Sequence, residues 1–279
     1  MRKRLTCLAV VAGAVVPAFG GSLFVNLGSA DSFGLLGGTI SNTGTSVVTG
    51  NVGATTTITG FPSGTATGTV YPAPSDPTVA AAYTDFVNGF NAAQLLSSTQ
   101  SFTDLSTSET FIGNNVYTFT DSTISTTTGI NLTFDAQNDS SEVFVIRVAD
   151  ALTVNGTMTF TLENGAQADN IFWIVGTAAV ISVGSSAPVI FDGNILAGST
   201  FTMTAAAGGA SLLSGTVNGC VFAENANTLS GTTDIGGCSN TEGGNGGGGG
   251  VAPEPGTPSL LCMGLGAGFL LLRKFRRIG

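Results

Sequence analysis

Two short stretches place threonine at every second position: Thr157-Met158-Thr159-Phe160-Thr161 and Thr200-Phe201-Thr202-Met203-Thr204. In an extended strand successive side chains point to opposite sides. Each stretch therefore lays three threonines on one surface and large apolar groups on the other. Threonine offers a methyl and a hydroxyl on a stiff rotamer, so a row of them is suited to many weak contacts with an uncharged surface and not to bond-making. Groups that could do covalent chemistry are scarce. The chain contains no histidine, which removes the commonest general base and the commonest metal ligand. Arg147 is the only basic residue between positions 21 and 252. Polysaccharide-cleaving β-folds need acidic calcium ligands and a basic catalytic residue, and Arg147 is the one candidate for the latter. Its neighbours point instead to a salt bridge with a helix or a corner. The acidic segment Asp135-Ala136-Gln137-Asn138-Asp139-Ser140-Ser141-Glu142 lacks the glycine at position six and the glutamate at twelve of a calcium loop. It reads as a turn built on Asn and Asp side chains. No enzyme, cofactor or metal is expected.

The elements that carry these rows follow from composition and period. Hydrophobic residues make up 42% of the chain and charged residues 9%, with 41 glycines and a net charge of −9. Seven of the eight basic residues sit at the two ends, so the acidic body is a poor partner for nucleic acid, whose phosphates need Lys or Arg. Short strands with glycine at the corners suit an all-β object. Tyr117 and Phe119, Leu132 and Phe134, and Phe144, Ile146 and Val148 each alternate with smaller or polar neighbours, which predicts one rule throughout: large apolar residues inside, threonine outside. The stretch from 170 to 198 holds the only tryptophan, Trp173, and is cut by Gly176, Gly184, Gly193 and Gly198 into runs too short for one helix. One helix is expected over residues 77–96. Asp76-Pro77 supplies an N-cap and a first-turn proline, and Val79, Tyr83, Phe86, Val87 and Phe90 form a single apolar stripe. Its length of about 30 Å matches about six strands stacked at about 4.8 Å. An all-β solenoid with the helix laid along it is the expected architecture, and a β-sandwich is the alternative.

The two ends read as addresses. Residues 1–20 have a basic start, an apolar run and small residues near Ala18-Phe19-Gly20, the pattern of a secretory signal peptide; a retained anchor is the alternative. Residues 241–252 are a glycine-rich linker with the composition of a flexible chain. Pro253-Glu254-Pro255 follows, then an apolar segment at 257–272 and a basic tail at 273–279. As a helix the apolar segment would span about 24 Å, and flanking Lys and Arg can snorkel to the interface of a bilayer core of about 30 Å. This order resembles a bacterial PEP-CTERM sorting signal. The resemblance implies export, transient anchoring in the inner membrane, removal of the tail near Pro255 by an exosortase-type enzyme, and a cell-surface or extracellular destination. A permanent single-span anchor is the alternative. Cys7 and Cys262 belong to these ends. Cys220 and Cys238 remain, and in an oxidising compartment they are expected to form a disulfide contributing roughly 3 kcal/mol, unless they stay as separate thiols.

Along residues 24 to 234 the body resembles the ice-binding-like β-solenoid family of microbial antifreeze proteins. The residues that carry the resemblance are Asn26-Leu27-Gly28-Ser29-Ala30, Phe33-Gly34-Leu35-Leu36-Gly37-Gly38, Val48-Thr49-Gly50-Asn51-Val52-Gly53, Thr59-Gly60-Phe61-Pro62, Leu132-Thr133-Phe134-Asp135-Ala136-Gln137, Val143-Phe144-Val145-Ile146, Asn164-Gly165-Ala166-Gln167, Phe172-Trp173 and Gly193-Asn194-Ile195-Leu196-Ala197. The resemblance implies that residues 21–240 fold as a discontinuous right-handed β-helix of three faces and about six coils, with the long helix beside it and the first coil stacked on the last. It also implies an exported monomer whose partner is the surface of an ice crystal, bound through a flat threonine-rich face. The candidate residues are Thr157, Thr159 and Thr161, with Thr200, Thr202 and Thr204 on the next rung. Thr128-Gly129-Ile130-Asn131 fits the family's Thr-(Ala/Gly)-x-(Thr/Asn) pattern, which adds Thr128 and Asn131. The alternative function is a structural or adhesive protein of the exopolysaccharide matrix that shares the fold. Because few contacts can pass through a glycine-rich linker, a chain ending at Gly243 is expected to keep the circular dichroism and melting temperature of the full chain. A large drop in stability would show that the tail packs on the body.

Overall fold

The computed structural model describes residues 23–74, 76–121, 123–126, 129–155, 158–183, 188–205 and 214–238. The expected signal peptide, linker and sorting segment, including Pro253, Glu254 and Pro255, lie outside the described residues, as do Thr128 and Thr157. The chain forms its strands in layers. The first two layers are Phe33–Asn42 (β1) with Ser46–Val48 (β2), and Asn51–Thr59 (β3) with Thr65–Ala66 (β4). The helix Pro77–Gln94 (α1) follows, then Gln100–Phe102 (β5) and Glu109–Ile112 (β6). Four three-strand layers come next: Asn115–Phe119, Thr123–Thr126 and Ile130–Asp135 (β7, β8, β9); Phe144–Val148, Ala151–Asn155 and Met158–Glu163 (β10, β11, β12); Ile171–Val175, Ala178–Ser182 and Val189–Asp192 (β13, β14, β15); and Asn194–Ala197, Thr200–Thr204 and Gly215–Asn218 (β16, β17, β18). Val221–Ser230 (β19) and Thr233–Ile235 (β20) complete the body.

Within a layer each strand joins a different stack, and the three stacks enclose one core. The first stack is β5–β7–β10–β13–β16–β19–β1–β3, and the second is β8–β11–β14–β17–β19–β1–β3. The third is divided into β6–β9–β12 and β15–β18–β20–β2–β4. Every pairing among the described residues is parallel, which excludes the antiparallel sandwich. The long strands β1, β3 and β19 serve two stacks because each turns a corner midway. On β1 the corner is Gly37-Gly38, where the register slips against both neighbours. A Cβ at Gly38 would lie 2.5 Å from the Asn225 carbonyl oxygen, so a side chain there would push the two strands apart.

The stacking order departs from the chain order at one place. β1 pairs not with β5 or β7 but with β19, from Leu35↔Val221 to Asn42↔Leu229, and β3 stacks beyond it. After β4 the chain must therefore travel to the opposite end of the body. Eight strands in the first stack are about 34 Å deep, and the 18 residues of α1 carry the chain about 27 Å of that distance. Helix initiation matches the expectation: the Asp76 side chain accepts a hydrogen bond from the Thr78 N–H at 2.8 Å, with proline in the first turn. Val79, Ala82, Phe86, Phe90 and Ala93 bury their side of the helix against Leu36, Val116, Val145, Phe172, Ile174, Leu196 and Phe222, which stand on the outer side of the first stack. The rule of apolar inside and threonine outside thus fails on this stack. Its strands are apolar on both sides, as in β13, where all five residues are buried, because the helix replaces solvent. Trp173 is interior and its indole N–H donates to the Asp192 carbonyl at 3.1 Å.

The helix ends at Gln94, two residues before the expected limit. Arg147 explains the sharp end and differs from the salt bridge expected of it. Its Nη1 donates to the Gln94 and Leu96 carbonyls at 2.6 and 2.7 Å, while Nε and Nη2 donate to Thr118 Oγ1 at 3.1 and 2.7 Å. The only basic residue between positions 21 and 252 thus caps the negative end of the one α-helix among the described residues, where carbonyls lack helical partners. The Cys220–Cys238 disulfide is present, with Cα atoms 4.5 Å apart in adjacent layers. Replacing Arg147 with Met is expected to destabilise the fold by about 1.5–3 kcal/mol, the range for hydrogen bonds to a charged group. That lowers the melting temperature by about 2–4 °C per kcal/mol. Arg147→Lys should recover only part, because an ammonium cannot reproduce the planar fork. An unchanged melting temperature in Arg147→Met would mean that packing alone holds the helix end.

Candidate functional site

The second stack presents the broadest regular surface. Its inward row is Leu152, Ala179, Phe201, Asn227, Ile40 and Ile58, matched strand to strand by the registers. The side chains between them face outward in columns. One column is Ala151, Ala178, Thr200, Ala226, Thr39 and Thr57. The next is Thr153, Val180, Thr202, Thr228, Ser41 and Thr59, and a third contains Asn155, Ser182, Thr204 and Ser230. No charged residue appears in these columns. Seven strands, counting the backbone of β8, make a strip about 29 Å long and about 13 Å across. Among the described residues, the hydroxyls of Thr200, Thr202, Thr204 and Thr228 make no hydrogen bond to another protein group.

The other candidates sit on the third stack. Thr159 and Thr161 of β12 register with Asn131 and Thr133 of β9. They do not adjoin Thr200, Thr202 and Thr204, so the two threonine rows expected on neighbouring rungs lie on different faces. The reason is topological: β12 is the third strand of its layer and β17 the second strand of its own. Alternation decides whether a residue points in or out, but not to which of three sides it points. On the third stack the polar groups satisfy one another. Asn131 Oδ1 accepts from Thr159 Oγ1 at 3.1 Å and from Thr161 Oγ1 at 3.0 Å, and Asn131 Nδ2 donates to Thr133 Oγ1 at 3.3 Å. The surface is also short, since β12 and β15 are not paired, and it ends in the carboxylates of Asp135 and Glu163. Sequence reasoning missed most of the second face, namely Thr39, Ser41, Thr57, Thr59, Thr153 and Thr228. Their signal was present, since Thr39-Ile40-Ser41, Thr57-Ile58-Thr59 and Thr153-Val154-Asn155 alternate in the same way, but each holds only one or two threonines.

The acidic segment is a turn, as its composition predicts. Asp135 Oδ1 accepts from the Gln137 N–H and from Asn164 Nδ2, and Asp139 Oδ1 accepts from the Ser141 N–H and hydroxyl. The Asn164 amide, more than the Gln137 N–H, holds the Asp135 carboxyl below its ordinary range. The Ser141 hydroxyl and N–H do the same for Asp139. Among the described residues no group of three or more His, Cys, Asp or Glu side chains could hold a metal ion. A shallow cleft beside the helix is lined by Asn26, Gly28, Asp85 and Asn88, but the Asp85 carboxylate already receives the N–H and hydroxyl of Ser29 at 2.9 and 2.6 Å.

The sequence and the fold are both similar to those of known proteins. Residues 35–234 match the family described as ice-binding-like. The chain belongs to that family. It is 35% identical over 181 residues to a protein named ice-binding protein from Nostoc sp. (strain HG1), covering 64% of each chain. It is 37% identical over 90 residues to an ice-binding protein from Flavobacterium frigoris (strain PS1), covering 32% of this chain and 28% of that one. The chain thus spans less than two thirds of the length of these relatives. Among solved structures, an ice-binding protein from the Antarctic ascomycete Antarctomyces psychrotrophicus aligns with a TM-score of 0.67 and 32% identity. That alignment covers 78% of this chain and 99% of that one. Within this family fold the outward and inward residues of one strand should differ sharply in their effect on stability. Thr202→Val is expected to change stability by less than about 0.5 kcal/mol, whereas Phe201→Ala, one residue away and fully buried, should cost about 3–5 kcal/mol. Urea unfolding of the two variants measures the difference, and similar costs would contradict the assigned direction of β17.

Proposed function

We propose that the chain is an exported ice-binding protein that adsorbs to ice through the second face, and that its three stacks are the faces of a discontinuous right-handed β-helix. The observation that carries this reading is the second face itself: seven parallel strands deep, without charge, and furnished with Thr, Ser and Ala in straight columns. Charged groups hold water tightly in a geometry of their own, and removing that water is costly. Threonine avoids this cost. Its methyl leaves water at about 25 cal/mol per Å² of apolar area, and its hydroxyl bonds to the water lattice. A rigid core behind the strands fixes the columns before contact, so little ordering remains to oppose adsorption. Family membership and the names of the relatives support the same reading. Export through residues 1–20, and a sorting tail at 253–279 recognised by an exosortase-type enzyme, accord with a protein that meets ice outside the cell.

The face is assigned by substitution on each side. Thr202→Lys is expected to reduce thermal hysteresis and recrystallisation inhibition strongly, with the melting temperature nearly unchanged. Thr159→Tyr, on the third face, should leave both activities intact. The reverse pattern would move the site to Thr159, Thr161 and Asn131, and inactivity of the unsubstituted protein would favour a matrix role.

A further inference from the structure

The two ends of the body are finished differently. At the end formed by β5 and β6, Leu105 lies between the two strands in sequence and is buried in the core, so it plugs that end, and Asp104 and Glu109 stand on either side of it in the chain. Charged side chains and a covered core are the usual guards against pairing at the end of a β-stack. At the end formed by β3 and β4 neither guard is present among the described residues. Residues 32–75 contain no charged side chain. Ile58, Phe61 and Ala66 pack on the core but are only partly buried, and Val70, in the same terminal layer, is 39% exposed. Among the described residues β3 pairs with β1 on one side, while its other side carries only the bridge from Val52 to Val70. The straight run Thr57-Ile58-Thr59, which ends the second stack, is therefore an open strand edge.

This edge is held in place from below. Buried Asn42 donates from Nδ2 to the carbonyl of Gly60, the residue after the run, at 3.0 Å, and its Oδ1 accepts from Ser46 Oγ at 2.9 Å. Ser46 Oγ is joined in turn to Thr233 Oγ1 at 2.6 Å. Little ordering remains to oppose pairing. The run also fits its own copy. In an antiparallel pair, directly opposite residues lie on the same side of the sheet. About a two-fold axis through Ile58, the two Ile58 side chains meet on the inner side, and Thr57 of each copy lies opposite Thr59 of the other on the outer side. The apolar residues then cover the open ends of both cores, and no charges are brought together. Such a pairing closes on itself and stops at two copies, because the two ends left over are the plugged, acidic ones.

We propose that this end is an interface for a second copy of the chain, and that the two-fold dimer joins the two second faces into one surface fourteen strands and about 62 Å long. The family resemblance implies a monomer; the open, uncharged edge argues for the pair. The doubled face rests on the ice-binding reading, whereas the pairing itself does not. It is tested with the full chain in detergent, in a Cys7→Ser and Cys262→Ser background. A spin label is placed through Thr228→Cys, in the same column as Thr59, and label-to-label distances are measured at up to about 1 mM chain. Five strand spacings and a one-position offset give an expected separation of about 25 Å. Ile58→Lys and Thr56→Lys each put a charge on the edge and should remove that distance. Thr56 is exposed, so its variant tests the edge even where Ile58→Lys fails to fold. Without the label, Thr56→Lys should weaken recrystallisation inhibition per chain several-fold without abolishing it. A separation of about 34 Å, the head-to-tail repeat of seven strands, or no defined distance, overturns the two-fold pairing. A 25 Å distance that survives both lysine variants overturns the assigned edge. Loss of the distance with ice activity unchanged overturns the doubled face and leaves the pairing. A 25 Å distance in a chain that does not inhibit recrystallisation before labelling keeps the pairing and overturns the ice-binding reading.

Discussion

The pairing of β1 with β19 is the contact on which the rest of the architecture depends. It joins residues almost two hundred positions apart and runs across a corner, so that one long strand closes two stacks at once. Gly37 and Gly38 make the bend possible. The buried Asn227 amide donates to the Leu36 carbonyl at 2.9 Å at the same bend, which ties the inner row of one stack to the corner of the next. With β1 in place, β3 can stack beyond it, and the second face gains two strands that the chain order would not supply. The same insertion leaves the following segment at the wrong end of the body, and α1 is the return path.

A helix that returns along the body also divides the labour among the faces. It covers the first stack, which becomes apolar on both sides, and Arg147 fastens its end. The third stack is interrupted between β12 and β15 and gathers the Asn and Asp turns at its edge. Only the second stack stays both continuous and open to solvent. It is backed from behind: Leu152, Phe201 and Ile40 are buried in register, and a close-packed core resists the shifting of individual strands. With such a backing, the ordering of these columns is completed during folding.

Charge placement follows the same division. Asp135 and Asp139 lie at a turn, where local hydrogen bonds occupy them, and the body's single cation binds a helix end. The second face is left with hydroxyls and methyls, several of the former without a partner among the described residues. The disulfide ties the last described residue, Cys238, to the start of β19, at a corner away from the second face.

Much of this was legible in the sequence. Asp76-Pro77 and the stripe from Val79 to Phe90 mark the helix, because capping and a 3.6-residue period are local. Alternation in Thr200–Thr204 and Ile130–Asp135 tells which residues point inward, because a strand's period of two is also local. The acidic turn could be read from residue types, and the pairing of Cys220 with Cys238 from their being the two cysteines left once Cys7 and Cys262 are assigned to the ends. Motifs shared with the ice-binding-like family pointed to the fold as a whole. Tertiary structure alone decided which outward residues share a face. Thr159 and Thr202 look alike in sequence, yet one belongs to a short, internally bonded sheet and the other to the long open one. It also decided that Arg147 meets carbonyls and not a carboxylate, and that Val145 is covered and not exposed. These are long-range outcomes: they depend on which strand stacks on which and on where the helix lies, and no local period encodes the side of a three-sided body to which a strand will belong.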